Sequence, residues 1–193
     1  MNLIHQIQKY YKEWGMEYSE KNIYVTNGGS EALELAALAL CDPDDEILVF
    51  EPFYANYNSF AKISGAHVRA VPTSAENGYR LPDTATVEQY VTNKTRAILQ
   101  TNPGNPTGVV YTKEEMDMVA GIVKKHGLAL IADEVYREFV YDGAYTSFGT
   151  YDDLADNVII IDSVSKRYSA CGARIGCLIS KNDEFMSQIN KLC

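Results

Sequence analysis

Short apolar runs alternate with segments of helical period along almost the whole chain, and this alternation constrains the fold more than any other feature. Strands are predicted over 23–25, 46–50, 67–71, 96–100, 128–132, 158–161 and 175–179. Helices are predicted over 30–40, 54–63, 84–91, 112–125 and 182–191, with a loop at 74–78. The segment 112–125 is the clearest helix, with Met116, Val119, Ile122 and Val123 on one face. The segment 30–40 is apolar nearly all round, so it should be buried. Strands alternating with helices predict an α/β fold: a doubly wound, mostly parallel sheet with helices on both faces. Ligands of such sheets sit beyond the carboxyl ends of the strands. Residues with chemical capacity should therefore follow strands directly.

Bulk properties narrow the function. The 193 residues suffice for one sizeable core and are short for two domains. A net charge of -9 argues against nucleic acid or an anionic membrane as partner. No apolar run approaches the roughly 20 residues that span a bilayer. Met1 to His5 shows no basic stretch leading into an apolar core, so no secretory leader is expected. Cys41, Cys171, Cys177 and Cys193 form no CxxC pair, which fits reduced thiols in the cytoplasm. His5, His67 and His126 do not supply the paired spacings of a zinc site, so no metal is expected.

Five segments after predicted strands carry chemistry. Thr26-Asn27-Gly28-Gly29-Ser30 joins a strand to a helix, with Ser30 at the expected N-cap; free amides and the helix dipole favour a phosphate there. Gly-Gly-Ser alone suits a tight turn equally well. Tyr54, in Glu51-Pro52-Phe53-Tyr54, can stack on a planar ring or fill the core. Thr101-Asn102-Pro103-Gly104-Asn105-Pro106-Thr107-Gly108 is an unusually constrained loop, in which Asn105 can aim its amide at a ligand oxygen. Asp133 ends an apolar strand, where it can hold a protonated ring nitrogen, cap a helix or bind magnesium; Tyr136 follows three residues on. The chain has no P-loop pattern, which weakens a nucleotide role for that acid. Ser163-Val164-Ser165-Lys166 follows the strand at 158–161, with Arg174 eight residues after Lys166. A lysine amine beside a planar arginine fork is what a pyridoxal phosphate (PLP) enzyme needs to hold its cofactor, although each of the two residues alone suits a solvated surface. All five segments fall where the doubly wound rule requires.

Asn105-Pro-Thr-Gly108, Asp133-x-x-Tyr136 and Ser163-x-Ser-Lys166 with Arg174, in this order and spacing, resemble the class I/II aminotransferases. These are fold-type I PLP enzymes related to aspartate aminotransferase, and the resemblance covers nearly the whole chain. It implies that Lys166 is the Schiff-base lysine and Asp133 the acid on the pyridine nitrogen. It implies Tyr136 and Asn105 as partners of the ring 3-oxygen and Tyr54 as the stacking aromatic. Gly28, Gly29, Ser30, Ser163 and Arg174 match the phosphate cup.

The resemblance implies amino-group transfer between an amino acid and a 2-oxo acid, in a homodimer. It also implies that residues 1–193 form the PLP-binding large domain alone, without the small C-terminal domain or the N-terminal arm. The family's arginine for the substrate α-carboxylate matches no residue here; Arg69, Arg137 and Arg167 stand at other positions. A carbon–sulfur β-lyase, a cyclising synthase and a non-catalytic PLP-binding fragment share the same motifs and stay open at this point.

Overall fold

The computed structural model describes residues 2–192, so Cys193 lies outside the described residues. Seven strands form one sheet: β1 (Ile23–Thr26), β2 (Glu46–Phe50), β3 (His67–Val71), β4 (Thr95–Thr101), β5 (Ala129–Asp133), β6 (Val158–Ser163) and β7 (Gly176–Ser180). Their spatial order is β1-β7-β6-β5-β4-β2-β3. Strands β2 to β6 pair in parallel, whereas β7 runs antiparallel to both β6 and β1.

Successive residues of a strand point to opposite faces, and each face carries its own core. Leu48, Ile98, Leu130 and Ile160 join one cluster, which α5 (Lys113–His126) covers with Met116, Val119, Ile122 and Val123. Ile47, Leu99, Ile131, Ile159 and Ile161 join the other, under α2 (Gly28–Leu40), α3 (Tyr57–Ile63) and α7 (Asp183–Leu192). Strand β6 is buried at all six positions, which explains its unbroken apolar run. The expected doubly wound, mostly parallel sheet is therefore the observed one. Among the described residues no helix is long and apolar enough to cross a membrane.

Local signals account for most boundaries. Thr112 and Glu115 cap α5 reciprocally, and Gly127 ends it in the left-handed conformation at φ 62°. The helix expected at 84–91 is shorter, α4 (Thr84–Glu88), and starts at an Asp83 cap. Tyr54 is not helical: α3 begins only at Tyr57, after an irregular stretch leaving β2. A long helix is absent from the sequence reading, α1 (Leu3–Glu13), as is the short α6 (Val164–Arg167). Helix α1 starts at Asn2, whose side chain accepts from the Ile4 N–H. It lies on the α5 face, where Ile4, Ile7, Tyr10 and Trp14 pack against the core. The short helix α6 (Val164–Arg167) follows β6 directly.

Candidate active site

The reversed strand β7 assembles the cleft. Its first residue, Gly176, lies between Thr26 at the end of β1 and Ser163 at the end of β6. A Cβ on Gly176 would overlap the backbone of Gly28 and Gly29, so only glycine lets β7 approach the start of α2 this closely. The reversal also explains Arg174. It precedes β7 rather than following a strand, yet it reaches the same sheet edge. A cleft of about 240 Å³ opens there, lined by Gly29, Ser30, Tyr54, Asn105, Asp133, Tyr136, Ser163, Lys166 and Arg174 among others.

One end of the cleft is built for an anion. Helix α2 begins at Gly28, so Ser30 lies in its first turn and is not the N-cap that the sequence suggested; Asn27 holds that position. The first-turn amides have no intrahelical acceptor, and the helix dipole adds positive potential. Gly28 takes φ +80°, and a Cβ there would collide with the Arg174 guanidinium. Arg174 lies over Gly28, donating from Nη2 to the Asn27 carbonyl at 3.1 Å and from Nη1 to the Cys171 carbonyl at 3.2 Å. Ser163 is buried, its Oγ accepts the Ser165 N–H at 3.1 Å and it donates to Ser165 Oγ at 2.8 Å. Ser165 also lines the cleft, a position the sequence reading left out.

The middle of the cleft holds the amine. Lys166 is exposed on α6, with Nζ 5.6 Å from the centre of the Tyr136 ring. Tyr54 and Asn105 are half-buried in the wall. The peptide bonds Asn102–Pro103 and Asn105–Pro106 are both cis. Asn102 turns inward, and its Oδ1 accepts the Tyr111 N–H at 3.1 Å.

Asp133 lies at the far end, at the tip of β5 and 5% exposed. Tyr57 donates to its Oδ2 at 2.5 Å, and the Val135 N–H approaches Oδ1 at 3.4 Å. Burial pushes the carboxyl up to about 6, against the opposing pull of the Tyr57 hydrogen bond. Among the described residues no cation forms an ion pair with it. Tyr57 is the main residue that sequence reasoning missed. It packs edge-on against Tyr54, ring centres 5.6 Å apart, and shares a short hydrogen bond with Thr101. Its signal was a second tyrosine three residues after Tyr54.

Thus all ten residues singled out from the sequence come to this one sheet edge, nine lining the cleft and Gly28 beneath Arg174. Arg69, Arg137 and Arg167 stay away from it. Arg69 pairs with Glu46, while Arg137 and Arg167 are turned into the protein.

Comparison with known proteins agrees with this architecture. The chain spans under half the length of the curated relatives it matches. It is 35% identical over 176 residues to the aspartate aminotransferase of Thermotoga maritima, covering 91% of this chain and 46% of that protein. A crystal structure of aspartate aminotransferase from Thermotoga maritima superimposes with a TM-score of 0.92 at 34% identity, over 98% of this chain and 50% of the other. An aromatic aminotransferase from Pyrococcus horikoshii gives 0.92 at 30% identity, over 98% and 51%. The profile of aminotransferase class I and II matches residues 2–193, and the chain belongs to that family.

Proposed function

We propose that this chain is the PLP-binding large domain of an aminotransferase that moves an amino group from an amino acid to a 2-oxo acid. The carrying observation is one cleft with an anion-binding end, a lysine amine in the middle and a buried acid without a cation at the far end. When bound, PLP supplies an aldehyde for a lysine amine and a ring that accepts electrons from the substrate carbon. The donor set fits such a group. The α2 amides, Ser163 and Arg174 suit a phosphate. The glycines at 28 and 176 let Arg174 and the start of α2 close on this end, where a Cβ would collide with them.

Each residue then has a task. Lys166 Nζ would hold the cofactor by its aldehyde and, once the substrate amine displaces it, would serve as the base that carries the substrate α-proton. Asp133 would gain from the cofactor the cation that it lacks without ligand, and so would keep the ring nitrogen protonated. Tyr136 and Asn105 would hold the ring oxygen, and Tyr54 would cover a ring face. The family resemblance further supports a homodimer, and the scattered cysteines support a cytoplasmic setting. Substrate choice would follow from contacts outside this cleft.

Titration with PLP, followed by visible absorbance, tests this reading. Borohydride reduction and peptide mass mapping should place the label on Lys166. A Lys166→Ala variant that keeps the visible band would sink the assignment. Excess amino acid should then yield pyridoxamine phosphate in a single turnover if the chain transaminates by itself, whereas release of pyruvate and ammonia from a cysteine conjugate would indicate a lyase.

A further inference from the structure

Behind the cleft, on the α1 face of the sheet, lies a cluster of four charged side chains. Arg137 and Arg167 are 0% and 7% exposed, and Glu134 and Asp162 are 2% and 4%. Arg137 Nη2 is 2.8 Å from Glu134 Oε2 and donates to the Tyr11 hydroxyl at 2.8 Å. Tyr11 in turn donates to Asp162 Oδ2 at 2.9 Å, and Arg167 Nη2 pairs with the same oxygen. Rings of α1 and the turn after it close the cluster. Arg137 lies 4.5 Å from the Tyr11 ring centre and 5.8 Å from that of Trp14, and Arg167 lies 4.1 Å from that of Tyr10.

Asp162 has a special place in this cluster. Its Oδ1 accepts the backbone N–H of Ser163 at 2.7 Å, at the entry to α6. Its Oδ2 takes Arg167, the last residue of α6. One carboxylate therefore ties both ends of the four-residue turn that carries Lys166. So short a turn cannot hold itself by its own hydrogen bonds. Strand alternation allows the division of labour: Ser163 faces the cleft, and Asp162 faces the cluster.

We infer that Asp162 is a positioning residue for Lys166 and Ser163, acting through its joint hold on the Ser163 amide and Arg167, with Tyr11 and Arg137 fixing the carboxylate from behind. The inference rests on the PLP reading only for its consequence on cofactor binding; the positioning itself belongs to the cofactor-free chain.

Two readouts test it separately in the whole chain. In cofactor-free Asp162→Asn, amide hydrogen exchange over residues 163–168 should accelerate by about tenfold or more. Asp83→Ala, which loses the cap of α4 far along the chain, should leave that segment unchanged. With PLP added, Asp162→Asn should bind about tenfold more weakly, the range that groups behind a liganding residue command at metal sites. Its visible circular dichroism per bound cofactor should also differ from wild type, a signature that plain destabilisation would not move. Wild-type exchange and wild-type dichroism in Asp162→Asn would overturn the inference. If that variant does not fold, Tyr11→Phe carries the same test, because it keeps the ring over Arg137 and removes only the hydroxyl. Unchanged exchange there would be equally decisive. A wild-type chain that binds no PLP would overturn the cofactor reading alone, since the exchange result stands without it.

Discussion

Asp133 and Glu134 are neighbours in sequence, both buried, and they meet opposite environments. Glu134 is fully furnished: Arg137 beside it, the Ser147 hydroxyl at 2.8 Å and the Phe148 N–H at 3.1 Å. Asp133 has the Tyr57 hydroxyl and one long backbone contact, and no cation. A buried carboxylate without a counter-charge is costly, and the protein tolerates one at the cleft alone of these two positions. The difference separates a structural acid from a waiting one. The acid with its own arginine serves the fold; the acid without one fits the proposed ligand, which would bring the charge.

The largest effect should come from the furnished side. Arg137→Met leaves Glu134 buried without its cation and takes one partner from Asp162. Urea unfolding should show a loss of about 3–5 kcal/mol. The double variant Arg137→Met/Glu134→Leu should recover much of that loss, since an apolar pair of similar size has no charge to desolvate. If the single variant is as stable as wild type, the cluster does not hold the fold.

Asp133→Asn should act in the opposite direction. With a folded value of about 6 against roughly 3.9 in the unfolded chain, ionisation of Asp133 opposes folding. The stability lost to this group is absent below about pH 4 and accumulates as pH rises to about 6. At pH 7 it amounts to roughly 2–3 kcal/mol. The asparagine variant, free of cofactor, should therefore melt higher than wild type at pH 7 and match it near pH 4, while losing cofactor affinity. A variant less stable than wild type at pH 7 would mean that Asp133 is not strained by burial.

The same titration sets a pH dependence for binding. Below about pH 6 Asp133 takes up its proton and offers a ring nitrogen no charge. PLP affinity should fall there by up to about tenfold per pH unit. The cofactor phosphate also titrates near this range, so the informative quantity is the difference between wild type and Asp133→Asn. Parallel pH curves for the two would remove Asp133 from the linkage.

The sequence displayed one half of this contrast and hid the other. Asp133 was legible because it ends an apolar run and precedes Tyr136 at a telling spacing. Glu134, one residue on, gives no signal, because its partners Arg137 and Ser147 meet it only through the fold. Helix α1 was missed although its pattern is regular: Ile4, Ile7, Tyr11 and Trp14 recur at helical spacing and pack on one core. The seven strands were readable from period and composition, but the direction of β7 was not. Parallel and antiparallel buried strands have the same apolar pattern, so the route by which Arg174 reaches the cleft appears only in three dimensions. Ser30 shows the limit on boundaries, since glycines at 28 and 29 let α2 begin two residues before the obvious cap.

The smallest test is the finest. Tyr57→Phe removes the one strong hydrogen bond to Asp133 and leaves the ring in place. The carboxylate then loses a partner that favours its charged form, so its folded value should rise above about 6. The pH at which PLP binding sets in should move up with it, and cofactor-free stability at pH 7 should drop by about 1 kcal/mol. Ser147→Ala provides the mirror experiment, removing a hydroxyl from Glu134 while Arg137 remains. It should cost similar stability and leave the binding curve where it was. If both variants shift the curve alike, the two acids work as one unit and their division into structural and waiting carboxylates fails.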